Sequence, residues 1–241
     1  SSLGPEAIIS VARTRSNQLF STYPLKLVPD SNHLLDHATE HIYAKRIDGL
    51  IKVYEHVSEM IAKELQSKRF PFVLAGDHGS AGGTIAGIKQ AFPDKRLGVI
   101  WIDAHGDLHT PFTTPSGNLH GMPLATAINE DNLDCQINKV PEQTAIRWEK
   151  LKNVGFQGAK VLPKDIVYIA VRDVEKEEQY LINHHQITVI SVDQVRRIGT
   201  NQTIQNVLDQ LSGCDLIYIS FDVDSMDPSM TSYGTGTPVD G

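Results

Sequence analysis

Five short runs of uninterrupted apolar residues, 72–75, 97–102, 166–171, 187–190 and 216–221, constrain the fold more than any other feature of this chain. They are rich in β-branched and aromatic side chains and do not alternate with polar ones. Such runs suit strands covered on both faces. Helical patterns lie between them. Ile47, Leu50, Ile51, Tyr54, Val57, Ile61 and Leu65 recur at steps of three and four, which places one apolar stripe on a long helix. Ile204, Val207, Leu208 and Leu211 repeat the pattern on a shorter one. Strands alternating with helices predict an α/β domain: a parallel sheet with helices on both faces. The stretch from about Thr110 to Pro163 breaks the rhythm with repeated Pro and Gly and no clear strand. Structureless segments of that length are usually functional.

Composition removes several function classes. At 241 residues, 40% hydrophobic and 21% charged, the chain can bury a sizeable core and does not read as disordered. No stretch approaches the roughly 20 apolar residues of a membrane span. A net charge of -7 argues against nucleic acid as a partner. Two cysteines, Cys135 and Cys214, are too few for a disulfide scaffold and suit a reducing compartment. With no signal-peptide pattern at Ser1-Ser2-Leu3, a cytoplasmic location is the default expectation. The chain lacks a starting Met, as a piece of a longer product would.

Three of the five runs end in metal-ligand residue types: His78, within Gly76-Asp77-His78-Gly79, after the first, Asp103, His105 and Asp107 after the second, Asp222 and Asp224 after the fifth. Ligands of open α/β sheets bind beyond the carboxyl ends of strands. Residues two apart in an extended segment face one side, so each cluster can converge. A lone Asp-x-His is usually a turn, and a lone Asp-x-Asp a loop start or helix cap. Three such clusters at strand ends are better explained by a cation that compensates their repulsion. Six ligands exceed the needs of one ion and suit two that share carboxylates. Imidazole and carboxylate without thiolate favour manganese, with cobalt, nickel or iron also suited. Four aspartates at about -4, two divalent ions and a hydroxide leave a site near -1, which favours a cationic substrate.

Rival motifs fit less well. Gly76, Gly79, Gly82 and Gly83 match neither the dinucleotide fingerprint nor the P-loop, and are expected to let the backbone turn past the site. Residues 222–227 lack the alternating ligands and Gly of a calcium loop. Ser116 has no nucleophile-elbow context. His184 and His185 read as a solvated face, and His33, His37, His41 and His56 as surface. Trp101 reads as core.

Gly76-Asp77-His78, then Asp103-Ala104-His105-Gly106-Asp107, then the block from Ser220 through Asp222-Val223-Asp224 to Pro228, resemble the three signature blocks of the ureohydrolases. That family comprises arginase, agmatinase, formimidoylglutamase and relatives. The match is most like arginase. The resemblance implies a doubly wound, mainly parallel three-layer α/β/α fold. It also implies one ureohydrolase-like domain over 1–241 that lacks the family's first strand and C-terminal segment. A chain that really stopped at Gly241 would then show weak or absent catalysis and exposed sheet edges.

By the same resemblance one manganese is held by His78, Asp103, Asp107 and Asp222, and a second by Asp103, His105, Asp222 and Asp224. A hydroxide bridging the two attacks the guanidinium carbon, Asp107 orients it, and His120 shuttles the proton to the departing amine. The stretch from Thr113 to Gly121 resembles the arginase loop that grips the amino-acid end of the substrate, with Ser116 and Asn118 on the α-carboxylate. Arg172-Asp173-Val174-Glu175 resembles the arginase Arg-Asp-Val-Asp, whose last acid pairs with the α-amino group. Asp173, His109 and Thr237 complete the expected substrate contacts, and Glu178 helps order the amino end. Three departures affect specificity: His109 stands where arginases have an asparagine, Glu175 is one methylene longer than the usual Asp, and the loop from Ser229 to Pro238 is slightly longer than in common arginases. The resemblance therefore implies hydrolysis of L-arginine to ornithine and urea, in a homotrimer or homohexamer. Two alternatives stay open: a sister ureohydrolase acting on agmatine, another guanidino compound or formiminoglutamate, and an inactive metal-binding regulatory subunit.

Overall fold

A computed structural model describes residues 3–15, 18–230 and 239. Four of the five apolar runs form strands: β1 (Leu97–Ile102), β2 (Ile166–Ile169), β3 (Thr188–Ile190) and β4 (Leu216–Phe221). All pairs are parallel and the order is β3-β2-β1-β4, so the chain's second and last apolar runs lie side by side. Four helices precede β1: α1 (Gly4–Thr14), α2 (Leu19–Thr22), α3 (Ile47–Gln66) and α4 (Ala81–Ala91). Then α5 (Pro123–Ile128) and α6 (Glu142–Lys152) separate β1 from β2, α7 (Lys176–His184) lies between β2 and β3, and α8 (Val192–Ile198) and α9 (Thr200–Gln210) lead to β4.

The two-residue period of the strands sorts their side chains between two apolar layers. Val99 and Trp101 of β1, with Ile166 and Tyr168 of β2, pack against Ile85 of α4, Leu124 of α5 and Leu181 of α7. On the other face Val167 and Ile190 meet Val207 and Leu211 from α9 and its end. Helices on both faces of a parallel sheet make the expected three-layer α/β arrangement. No helix among the described residues is long and apolar enough to cross a membrane.

Four expectations need correction. Residues 72–75 form no strand: Phe72 is 71% exposed, and the segment has no ladder among the described residues. An apolar run becomes a strand only where a neighbour supplies donors and acceptors. Residues 72–75 do not pair with the open side of β4, where Ile217, Ile219 and Phe221 are exposed. Second, the 110–163 stretch is not structureless; it contains α5 and α6. Third, Gly82 and Gly83 sit inside α4 and allow close packing on α3, since a Cβ on Gly82 would lie 2.0 Å from Tyr54 Oη. Fourth, the His41 side chain is largely buried, with Nδ1 2.9 Å from Thr144 Oγ1.

Candidate metal centre

The C-terminal ends of β1 and β4 place the acids. Asp103 N donates to Ile169 O at 3.2 Å, and Asp222 N donates to Ile102 O at 2.9 Å, so each aspartate leaves its strand while still tied to the neighbouring one. His105 continues the ladder past β1 by bridging to Asp173. Asp107 adopts φ 51, a left-handed turn that Asp tolerates better than most residues. His78 lies on a one-turn 3-10 helix (His78–Ser80) that Asp77 caps by accepting from Gly79 N.

Two ligand-type groups result. In the first, His78, Asp103 and Asp107 offer atoms within 4.8 Å of one another; in the second, Asp103, His105 and Asp224 do so. Asp103 belongs to both. His78 Nδ1 lies 3.0 Å from Asp103 Oδ2, 3.0 Å from Asp107 Oδ2 and 3.1 Å from Asp222 Oδ2. His105 Nδ1 lies 3.1 Å from Asp224 Oδ2 and 3.5 Å from Asp103 Oδ1. All six residues expected as ligands therefore converge.

The electrostatics are those of an acid cluster that needs positive charge. Hydrogen bonding to Asp103, then to Asp224, lifts His105 to about 10. Burial pulls His78 down, but its carboxylate neighbours overrule it and hold it well above the ordinary imidazole range. Burial pushes Asp107 up to about 7 and also raises Asp224. For Asp222 burial works upward, yet the adjacent His78 imidazole and the Asp224 N–H it accepts keep it below the usual carboxylate value. The acids thus favour positive charge between them, the part that bound cations play in a ligand set of this kind.

One further observation fits divalent ions. His78 Nδ1 is buried among three carboxylate oxygens and still has no hydrogen-bond partner. Nitrogen and oxygen donors without thiolate match the manganese-like class, and neither cysteine belongs to either group.

The surrounding shell was only partly legible. Trp101, read as core, also stacks on His78 at 4.3 Å between centroids and donates from Nε1 to Asp103 Oδ2 at 3.0 Å. Ser220 Oγ lies 2.8 Å from His78 Nε2. Each stands two residues before an aspartate on its strand, so the two-residue period was the available signal. Tyr168 donates its hydroxyl hydrogen to Gly106 O. Arg172 ties the β2 end to the third block through Asp224 O at 3.3 Å and Ser225 O at 3.2 Å.

Among the expected substrate contacts, Ser116 and His120 are exposed and Asn118 is half-buried. His120 lies on a 3-10 turn (Leu119–Gly121) that abuts Gly79, where an added Cβ would sit 3.5 Å from His120 Cα. Asp173 Oδ2 is 3.9 Å from His105 Nε2. His109 is buried, with Nδ1 3.2 Å from Thr113 Oγ1 and Nε2 3.4 Å from Glu175 Oε2 and 3.7 Å from Glu178 Oε2. Glu175 and Glu178 form the capping box of α7, and burial raises Glu178. Thr237 lies outside the described residues. His184 is exposed, and His185 is half-buried with Nε2 3.1 Å from Glu130 Oε2.

The Arginase family model matches residues 1–241. Arginase from Bacillus subtilis (strain 168) is 36% identical over 197 residues, which cover 82% of this chain and 60% of that protein. Human arginase-1 is 38% identical over 192 residues, covering 79% of this chain and 55% of that protein. The crystal structure of arginase from Bacillus subtilis subsp. subtilis str. 168 superposes with a TM-score of 0.79 at 32% identity, over 99% of this chain and 74% of that one. The matched part of the chain thus spans about 55–60% of the length of these curated relatives.

Proposed function

The chain belongs to the arginase family, and on that premise we propose that it is a metal-dependent hydrolase that releases urea from the guanidinium group of L-arginine. The observation that carries this reading is the convergence of Asp103, Asp107 and Asp222 on His78 Nδ1, beside a second group that shares Asp103.

His78, Asp103, Asp107 and Asp222 would hold one divalent ion, and Asp103, His105, Asp222 and Asp224 a second; manganese suits these donors. Bound there, the ions would supply Lewis acidity and a water acidic enough to lose its proton near neutral pH. The residues supply the rest. A guanidinium carbon is a weak electrophile because its charge is spread over three nitrogens, so reaction demands close positioning. The acid-rich cradle attracts that cation. Asp107, buried and turned inward at positive φ, orients the attacking water. His120, exposed on the turn beside Gly79, would carry a proton to the departing amine. Ser116 and Asn118 would bind the α-carboxylate, with Thr237 as a further contact. Glu175 and Asp173 would bind the α-amino group. A trimeric or hexameric assembly in the cytoplasm is part of the same proposal.

His109 favours one second reading. Its Nε2 faces Glu175 and Glu178 where a donor to the substrate carboxylate is expected, which suits a guanidino substrate without an α-carboxylate, such as agmatine. The test is urea release from arginine and from agmatine with added Mn2+. Faster release from arginine, abolished by Asp103→Asn, supports the first reading. Faster release from agmatine selects the second, and no release from either overturns both.

A further inference from the structure

The loop around Asn118 rests on a segment that precedes α3. Lys45 N donates to Gly117 O at 2.8 Å. Gly117 has φ 75, and a Cβ there would lie 1.9 Å from Ile42 O, so residue 117 must be glycine for the two backbones to touch. This contact fixes the half-buried Lys45 side chain beside the loop, with Nζ 3.5 Å from Asn118 Oδ1.

That amide oxygen is a weak partner for an ammonium, at the outer limit of a hydrogen bond. Among the described residues no carboxylate oxygen lies within 4.0 Å of Lys45 Nζ. Two acids nearby in sequence are engaged elsewhere: Asp48 by Arg147 at 2.8 Å and Glu55 by Lys150 at 3.2 Å. The neighbouring cation, Arg46, is spent on the carbonyls of Leu34 and Leu35. Lys45 therefore keeps donors free for another acceptor. The setting also defines what that acceptor is. The loop offers only neutral groups, Ser116 and Asn118, while the cradle beyond it is acidic and repels an anion. An amino-acid substrate brings a carboxylate into this region, and an ammonium supplies the missing opposite charge.

We propose that Lys45 is a further specificity-determining residue: its ammonium, held beside Asn118, takes the α-carboxylate of the substrate and distinguishes amino acids from guanidines and amines that lack one. The inference rests on the reading of the site as an arginine hydrolase. The test is calorimetric binding to the Mn2+-loaded protein of ornithine, which carries the carboxylate, and of 1,4-diaminobutane, which does not. Lys45→Met should weaken ornithine about tenfold and leave 1,4-diaminobutane within about twofold, while Lys45→Arg keeps most of the ornithine affinity. The ratio of arginine to agmatine kcat/KM should fall in parallel, mainly through KM. Equal losses for both ligands, or no loss for ornithine in a folded Lys45→Met protein, overturns the inference alone. A wild-type protein that neither binds ornithine nor releases urea from arginine overturns the reading beneath it as well.

Discussion

Replacing Ser220 by Ala removes the oxygen that pairs with His78 Nε2 among the described residues. His78 turns Nδ1 toward Asp103, Asp107 and Asp222 and stacks on Trp101, so its ring orientation is set on two sides. An imidazole that ligates through Nδ1 is neutral and carries its proton on Nε2. Ser220 Oγ, 2.8 Å away on a residue only 5% exposed, is the acceptor for that proton. Without it, either the Nε2–H stays buried and unpaired or the proton moves to Nδ1 and blocks the ligand position. An orphaned donor of this kind costs about 1–3 kcal/mol. Partners of ligating histidines are typically worth about 10–100-fold in metal affinity. Ser220→Ala should therefore weaken Mn2+ binding at least about tenfold in a titration against a chelating dye. Tyr218→Phe removes a hydroxyl 3.4 Å from the same oxygen and should cost less than about threefold, since a contact that long is weak. A folded Ser220→Ala protein that binds Mn2+ within about twofold of wild type would refute the reasoning.

Two further outcomes concern stability. Ala170 sits at φ 69 just past β2, where a Cβ is strained by about 1–2 kcal/mol, while glycine's greater freedom in the unfolded chain returns part of that. Ala170→Gly should raise Tm by about 2 °C, and a lower Tm would show that the strain is already relieved by packing. Lys160 is buried, with Nζ donating to Lys152 O, and burial pulls its pKa from 10.5 down to about 8. Between these values the unfolded chain holds more protons than the folded one, so folded stability rises with pH and the gain is lost again as pH falls to 8. The stability difference between wild type and Lys160→Met should grow by about 1–2 kcal/mol in favour of wild type from pH 7.5 to 9.5, measured by urea unfolding; a flat difference counts against the shift.

How far the sequence could be read depended on whether a residue's role was local. The runs at 97–102 and 216–221 are apolar throughout because both faces of a parallel strand are covered, and both became strands within their expected limits. The acids that follow them inherit their positions from the strand ends. Residues 72–75 carry the same signature, but pairing is a property of two segments, and no partner lies beside them among the described residues. Helix α6 went unread because its buried positions, Thr144, Trp148 and Leu151, are diluted by charged neighbours. The glycines of α4 were mistaken for turn formers because close helix packing depends on what lies opposite, here Tyr54. Lys45 stands far from Asn118 in sequence, so its position beside the loop emerges only from the fold.

His78, Asp103 and Asp224 come from widely separated stretches of the polypeptide. A nascent chain released before β4 would own the first triad and lack the last member of the second. On the proposed reading, cation capture would be a late event of maturation, completed when the last strand seats next to the first. An ion lodged there works as a clasp across large chain loops, and the longer the loop it closes, the more it restrains an unfolded chain. Chelators should accordingly act on this protein as denaturant sensitisers and not only as inhibitors.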